Sequence, residues 1–203
     1  AVERCRAAGL GVVLVPTLVR DVNTNSIGAI VRQGLGLTPV VRGIHFQPVS
    51  YFGRFPASPA GDSRFTLPEL MCCMEEQTAG LVKVKDFSPP GCEHEHCSLH
   101  ATYMYSAEGA LRRIGEADDK GCCSANAPKK GVRRTIETVS RRWALPAGAP
   151  LSTPGTADAP CCGIPPEVVR VDGPLDLDVF LRDVAARTFT ISAMAFQDAD
   201  TLD

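Results

Sequence analysis

The chain has 203 residues, 44% of them hydrophobic and 6% aromatic, with a formal net charge of −2. That length supplies one substantial core or two modest ones, built from Val, Leu, Ile and Ala rather than from aromatic rings. The near-neutral charge excludes a general attraction to nucleic acid or an anionic membrane, and the 203 residues contain neither a bilayer-spanning apolar run nor a secretory signal.

The first residues, VERCRAAGL, read as the end of an amphipathic helix stopped by Gly9 and Gly11. A chain that enters in mid-helix and stops at TLD without a cap is expected to be an internal piece of a longer protein. Residues 12–19 (VVLVPTLV) are apolar on both faces, as strands of a buried parallel sheet are, and Pro16 marks a bulge or the strand's C-terminal end. Asn25 or Ser26 is expected to cap a helix over 27–35, and 41–49 is a second strand. A Pro/Gly/Ser loop covers 53–65. Thr66-Leu-Pro-Glu69 is a capping box with Pro in the first turn, opening a helix to about Gln77. Strand, helix, strand and helix joined by short links predict parallel, adjacent strands with right-handed crossovers. An exposed apolar edge is expected on the first strand.

Beyond residue 80 the character changes. LVKVKDF alternates, SPPGC is a turn, and ATYMYSAEGALRRI reads as a β-hairpin. Residues 116–131 and 146–166 are loop-like, with helices at about 133–143 and 177–186, and FTISAMAF is a final apolar strand. The segment 111–142 is basic and 143–203 acidic, which reads as solvated surface. Two regions are therefore expected: 1–79, α/β, and 80–203, an irregular α+β region bearing most of the cysteines.

Nine cysteines without a secretory signal point to thiolate chemistry rather than a disulfide framework. Three pairs are adjacent: Cys72-Cys73, Cys122-Cys123 and Cys161-Cys162. The first, inside a helix, suits packing; the last, in a flexible loop, could expose a reactive thiol. Cys92 and Cys97 stand in a polar loop, four residues between them, with His94, His96 and, just beyond, His100. Two sulfurs there can converge on one ion or cluster, and the spacing leaves Zn²⁺ and iron–sulfur both open; a pair of unmetallated thiols is the plainer reading. Residues after the strands are the second candidate site: Thr17, Arg20, Asp21, Asn23 and Asn25, then Gln47, Ser50, Tyr51 and Arg54. Neutral groups such as Asn23 and Gln47 suit a nucleoside or amino-acid moiety, and Arg54 a carboxylate; capping helices and satisfying loop backbone is the alternative. His45 reads as a core or barrel-lumen residue.

VVLVPTLVRDVN, IGAIVRQGL, VRGIHFQPVSYFGRFP, DFSPPGCEHEHCSLHATYMY and FTISAMAFQDADTLD together resemble the C-terminal half of a radical S-adenosylmethionine (SAM) enzyme. The resemblance is to the tetraether-lipid synthase and pterin methyltransferase-like group and its cysteine-rich (seleno)protein branch, over 1–104 and 187–203. It implies the last βα units of a partial TIM barrel followed by an auxiliary-cluster region. It also implies a catalytic [4Fe-4S] cluster on an upstream Cx3Cx2C loop, which these residues lack, so the piece alone is expected to be inactive. Thr17, Asn23, Gln47, Ser50 and Arg54 then fall to SAM binding, and Cys92 and Cys97 to an auxiliary [4Fe-4S] cluster completed beyond Asp203. A small-molecule or lipid-like substrate, a ferredoxin or flavodoxin as electron donor and a cytoplasmic location follow in the same way. The insertions at 122–123 and 161–162 depart from the methyltransferase-like pattern. The competing reading is a non-catalytic zinc-binding or interaction module on Cys92, Cys97 and two histidines; a thiol oxidoreductase on Cys161-Cys162 lacks the usual C-x-x-C spacing.

Overall fold

The computed structural model describes residues 1–51, 64–89, 97–105, 111–114 and 184–196. In chain order these form α1 (Val2–Ala7), β1 (Val12–Leu14), β2 (Thr17–Leu18), α2 (Ile27–Gly36), β3 (Val41–Pro48), α3 (Leu67–Gln77), β4 (Ser98–Tyr105), β5 (Leu111–Ile114) and β6 (Thr188–Met194). The helix expected at 133–143 and the cysteine pairs at 122–123 and 161–162 lie outside the described residues. So does most of the helix expected at 177–186; its end is described, and residues 184–187 are helical.

Pro16 does interrupt the first strand, since it has no N–H to give to the ladder. Its carbonyl still accepts from the Gln47 N–H at 3.0 Å. The pieces on either side, β1 and β2, both pair in parallel with β3, Val12 opposite Val41 and Thr17 opposite Gln47. The apolar strand–helix–strand pattern thus gives the predicted parallel pair. The expected apolar edge is present too: Val13 and Val15 are about half exposed.

The sheet order is β1-β3-β6-β4-β5, with β2 also on β3. The last strand in sequence, β6, lies parallel to β3 and antiparallel to β4, with Ile191 facing Ile44 on one side and Ala101 on the other. The hairpin β4-β5 is antiparallel, as its alternation predicts. The molecule is therefore mixed α/β with a sheet that contains parallel strands, and that sheet draws on residues from both sides of position 80.

Period-2 alternation gives the sheet two unlike faces. On one, Ile44, Phe46, Leu99, Ala101, Tyr103, Phe189, Ile191 and Ala193 are all buried, and they form one core with Val31 of α2 and Leu70 and Met74 of α3. Burying a side chain of that size contributes roughly 1.5–3 kcal/mol. On the other face stand Gly43, His45 and Gln47 of β3, Thr190, Ser192 and Met194 of β6, and Ser98, His100, Thr102 and Met104 of β4. Apart from Gly43 and Ser98, which are buried, these are half-buried.

Two glycines set how closely the parts approach. A Cβ on Gly43 would sit 2.4 Å from the Thr190 carbonyl oxygen, and one on Gly28 2.5 Å from the Gln77 carbonyl oxygen. The second contact explains a correction at the start of α2. Ser26 holds the N-cap position but makes no side-chain cap bond. Gln77, the last residue of α3, caps α2 instead: its Oε1 accepts from the Gly28 N–H at 3.0 Å and its Nε2 donates to the Thr24 carbonyl at 2.7 Å. At the opposite end of the sheet, buried Arg42 donates to the carbonyls of Ala185 and Ala186, tying β3 to the helical turn before β6. No helix among the described residues is long and apolar enough to cross a membrane.

Candidate functional site

Parallel strands leave their loops and free backbone groups together at their C-terminal ends. Here β2, β3 and β6 end on one side. Because β4 runs against β6, its beginning comes to that same side: Ser98 faces Met194, and the Ala195 N–H donates to the Cys97 carbonyl at 2.9 Å. Cys97 thus stands at the end where Thr17 and Gln47 are register partners. Its thiol is half-buried and unbridged.

Ser50 follows β3 and donates through Oγ to the Phe196 carbonyl at 3.0 Å, joining the ends of β3 and β6. Ser50 and Cys97 line one open cleft of about 250 Å³, with Arg64, Phe196 and the first residues of α3. The Arg64 guanidinium lies 5.7 Å from the Tyr51 ring centroid. A second arginine fastens the rim. Arg20 reaches from the loop after β2 to the Arg64 carbonyl and to Glu69, and stacks 5.7 Å from the Phe65 ring centroid. Glu69 closes the predicted capping box with Thr66, so one carboxylate caps α3 and anchors Arg20. Arg20 first, then the Thr66 N–H, holds that carboxyl below its usual range.

Of the expected cofactor-binding residues, Thr17, Gln47 and Ser50 come together at this end. Asn23 is adjacent, with its amide engaged in the loop: Oδ1 accepts from the Val19 N–H at 2.9 Å and Nδ2 donates to the Thr17 carbonyl at 2.8 Å. That arrangement steadies a loop in which Asp21 takes a left-handed φ of 61°. Arg54 and Cys92 lie outside the described residues, with His94 and His96. His100 is a strand residue whose Nδ1 meets the Ser88 carbonyl at 3.0 Å. Among the described residues no group of three or more His, Cys, Asp or Glu could hold a metal ion. Cys72 is exposed, while Cys73 packs against the core. Burial, then the charges of Glu76, Cys72 and Glu69, pushes the Cys73 thiol up, which favours the protonated form.

Sequence reasoning overlooked Arg64 and the serines Ser98 and Ser192. Nothing in a lone Arg within a Pro/Gly loop announces its position. The serines had a signal: SLHATYMY and TFTISAM alternate strictly, so fixing the apolar face fixes the polar one.

Fold and site together define a mixed α/β protein whose polar and thiol groups gather at the C-terminal ends of parallel strands, a usual place for small-molecule sites. The chain is similar to 7,8-dihydro-6-hydroxymethylpterin dimethyltransferase of Methanocaldococcus jannaschii, with 46% identity over 89 residues. The match takes in 43% of this chain and spans 18% of that protein's length. No family model matches the chain. The relation supports the pterin methyltransferase-like resemblance.

Proposed function

We propose that this chain is part of a radical SAM enzyme acting on a small molecule, and that it contributes the last parallel strands of a partial barrel. The observation that carries the reading is one end of one sheet, where Thr17 pairs with Gln47 and, just past the end of β3, Ser50 and Cys97 line one cleft, in a chain 46% identical over 89 residues to a pterin dimethyltransferase. The donor set suits the groups proposed. Neutral oxygens and amides match the ribose and amino-acid parts of SAM, and a half-buried thiol matches a cluster ligand. Thr17, Gln47, Ser50 and Arg54 would hold SAM; Cys92 and Cys97 would hold an auxiliary [4Fe-4S] cluster with ligands from elsewhere. Asn23 would act by steadying the loop that carries Thr17.

When bound, SAM and the catalytic cluster supply the radical chemistry. This chain's residues bind, orient and shield. Arg20 and Glu69 keep α3 against the mouth of the cleft, and Phe65 and Phe196 give it apolar walls that limit water. A ferredoxin or flavodoxin is the electron donor the reading calls for. The test is anaerobic reconstitution of the full-length protein with iron and sulfide, followed by dithionite and SAM. Release of 5′-deoxyadenosine supports the reading; stoichiometric zinc without iron, and no deoxyadenosine, supports a zinc module instead.

A further inference from the structure

The strand ends separate two faces. Side chains alternate along a strand, and partners across a ladder share a face. Thr17 and Gln47 therefore stand on the polar face, and Leu18 and Pro48 on the helix-covered one. Pro48 lines the cleft, together with Phe65 and with Leu67 at the start of α3, whereas Thr17, Gln47 and Asn23 do not. The cleft thus opens between the sheet and α3, on the other face from Thr17 and Gln47. Of the described residues proposed for SAM, Ser50 alone lines it, and its hydroxyl proton goes to the Phe196 carbonyl.

The lining says what the cleft can receive. Phe65 and Leu67 are buried in its walls, while Phe196 is 50% exposed and has ring surface left for a ligand to cover. Among the described lining residues Arg64 is the one Lys, Arg, Asp or Glu. Its guanidinium lies over the Tyr51 ring, a contact that uses no N–H donor. The nearby carboxylate, Glu69, is already matched by Arg20. One guanidinium balances one negative charge and pairs in plane with a carboxylate; a phosphate dianion would be left half compensated. At about 250 Å³ the cleft falls below the usual range of small-molecule sites, roughly 300–1,000 Å³, which favours a single ring over a nucleoside.

We infer that this cleft is a binding site for a small aromatic monocarboxylate, with the ring along Phe196 and the carboxylate on Arg64, separate from the cofactor. The site and its ligand class rest on the lining alone; only the separateness from the cofactor rests on the function proposed above.

The experiment uses full-length, anaerobically prepared protein and follows 3-phenylpropionate and its neutral isostere 3-phenylpropanamide by saturation-transfer NMR titration. The wild type binds the acid about tenfold more tightly than the amide, the effect of one charge-assisted hydrogen bond. Arg64→Gln keeps the backbone carbonyl that Arg20 holds; it weakens the acid about tenfold and leaves the amide unchanged. A merely structural Arg64 would weaken both alike. Phe196→Ala weakens acid and amide together, roughly fivefold, and Cys72→Ala changes neither. Excess S-adenosylhomocysteine leaves the acid in place. No binding of the acid by the wild type, or acid and amide bound equally, overturns the inference, and this comparison needs no variant to fold. Displacement by S-adenosylhomocysteine overturns the separateness. The titration needs no reductant or turnover, so acid binding without deoxyadenosine release keeps the site and removes the radical SAM reading, and the reverse result removes the site alone.

Discussion

Glu69 makes three kinds of contact at once: it accepts from the Thr66 N–H and hydroxyl through Oε2 and pairs with Arg20 through Oε1. Its carboxyl is held below the ordinary value of 4.5, with Arg20 as the largest cause. A depressed folded value means that the unfolded chain binds the proton more readily. The stabilisation is thus complete above pH 4.5 and is lost as pH falls through the folded value. Glu69→Gln keeps the capping-box geometry but not the charge. It should cost at most about 1 kcal/mol at pH 7, because the pair is partly solvated, and flatten the acid limb of a stability-versus-pH curve. Thr66→Ala should cost about 1 kcal/mol at neutral pH and less in acid, where the hydroxyl no longer faces an ionised Glu69. At Cys72-Cys73, iodoacetamide at pH 8 followed by mass spectrometry should find Cys72 modified well before Cys73. The capping box and the packing of Cys73 were legible from Thr66, Glu69 and the helical context, whereas Cys72, expected to pack with it, is exposed. Arg20's partner was not, because a residue 49 positions away is fixed only by the fold.

At the scale of elements, close approach decides what can be changed. Ala at Gly43 would press its Cβ into the Thr190 carbonyl, and Ala at Gly28 into that of Gln77. Each should lower stability by about 1–3 kcal/mol in thermal or urea unfolding, since backbone has to move. Gly36 is the control: it lies in α2 with open space where a Cβ would stand, so Gly36→Ala should stabilise by up to about 1 kcal/mol. The parallel pair, the break at Pro16, the α3 start and the β4-β5 hairpin were readable because local pattern specifies them. The place of β6 between β3 and β4 was not. FTISAMAF announces a strand, but its neighbours are chosen by long-range pairing. The cap on α2 was misread for the same reason: Asn25 and Ser26 have the right chemistry, yet Gln77 of α3 reaches the Gly28 N–H.

Across the whole molecule, one sheet separates two tasks. The helix-covered face holds the core, and the polar face with the C-terminal strand ends holds the groups available for chemistry. Thr17, Gln47 and Ser50 could be nominated from sequence because residues after parallel strands have only one end to go to. The position of Cys97 beside them depends on β4 lying against β6, which no local pattern contains. The central claim is that Cys97, with Cys92, ligates an auxiliary cluster at this end. Iron and acid-labile sulfide per protein, measured on anaerobically reconstituted full-length Cys97→Ala beside wild type and Cys72→Ala, test it most directly. Cys97→Ala should hold about four iron and four sulfide fewer, a [4Fe-4S] cluster's worth, with Cys72→Ala equal to wild type. Wild-type iron and sulfide in Cys97→Ala would contradict it.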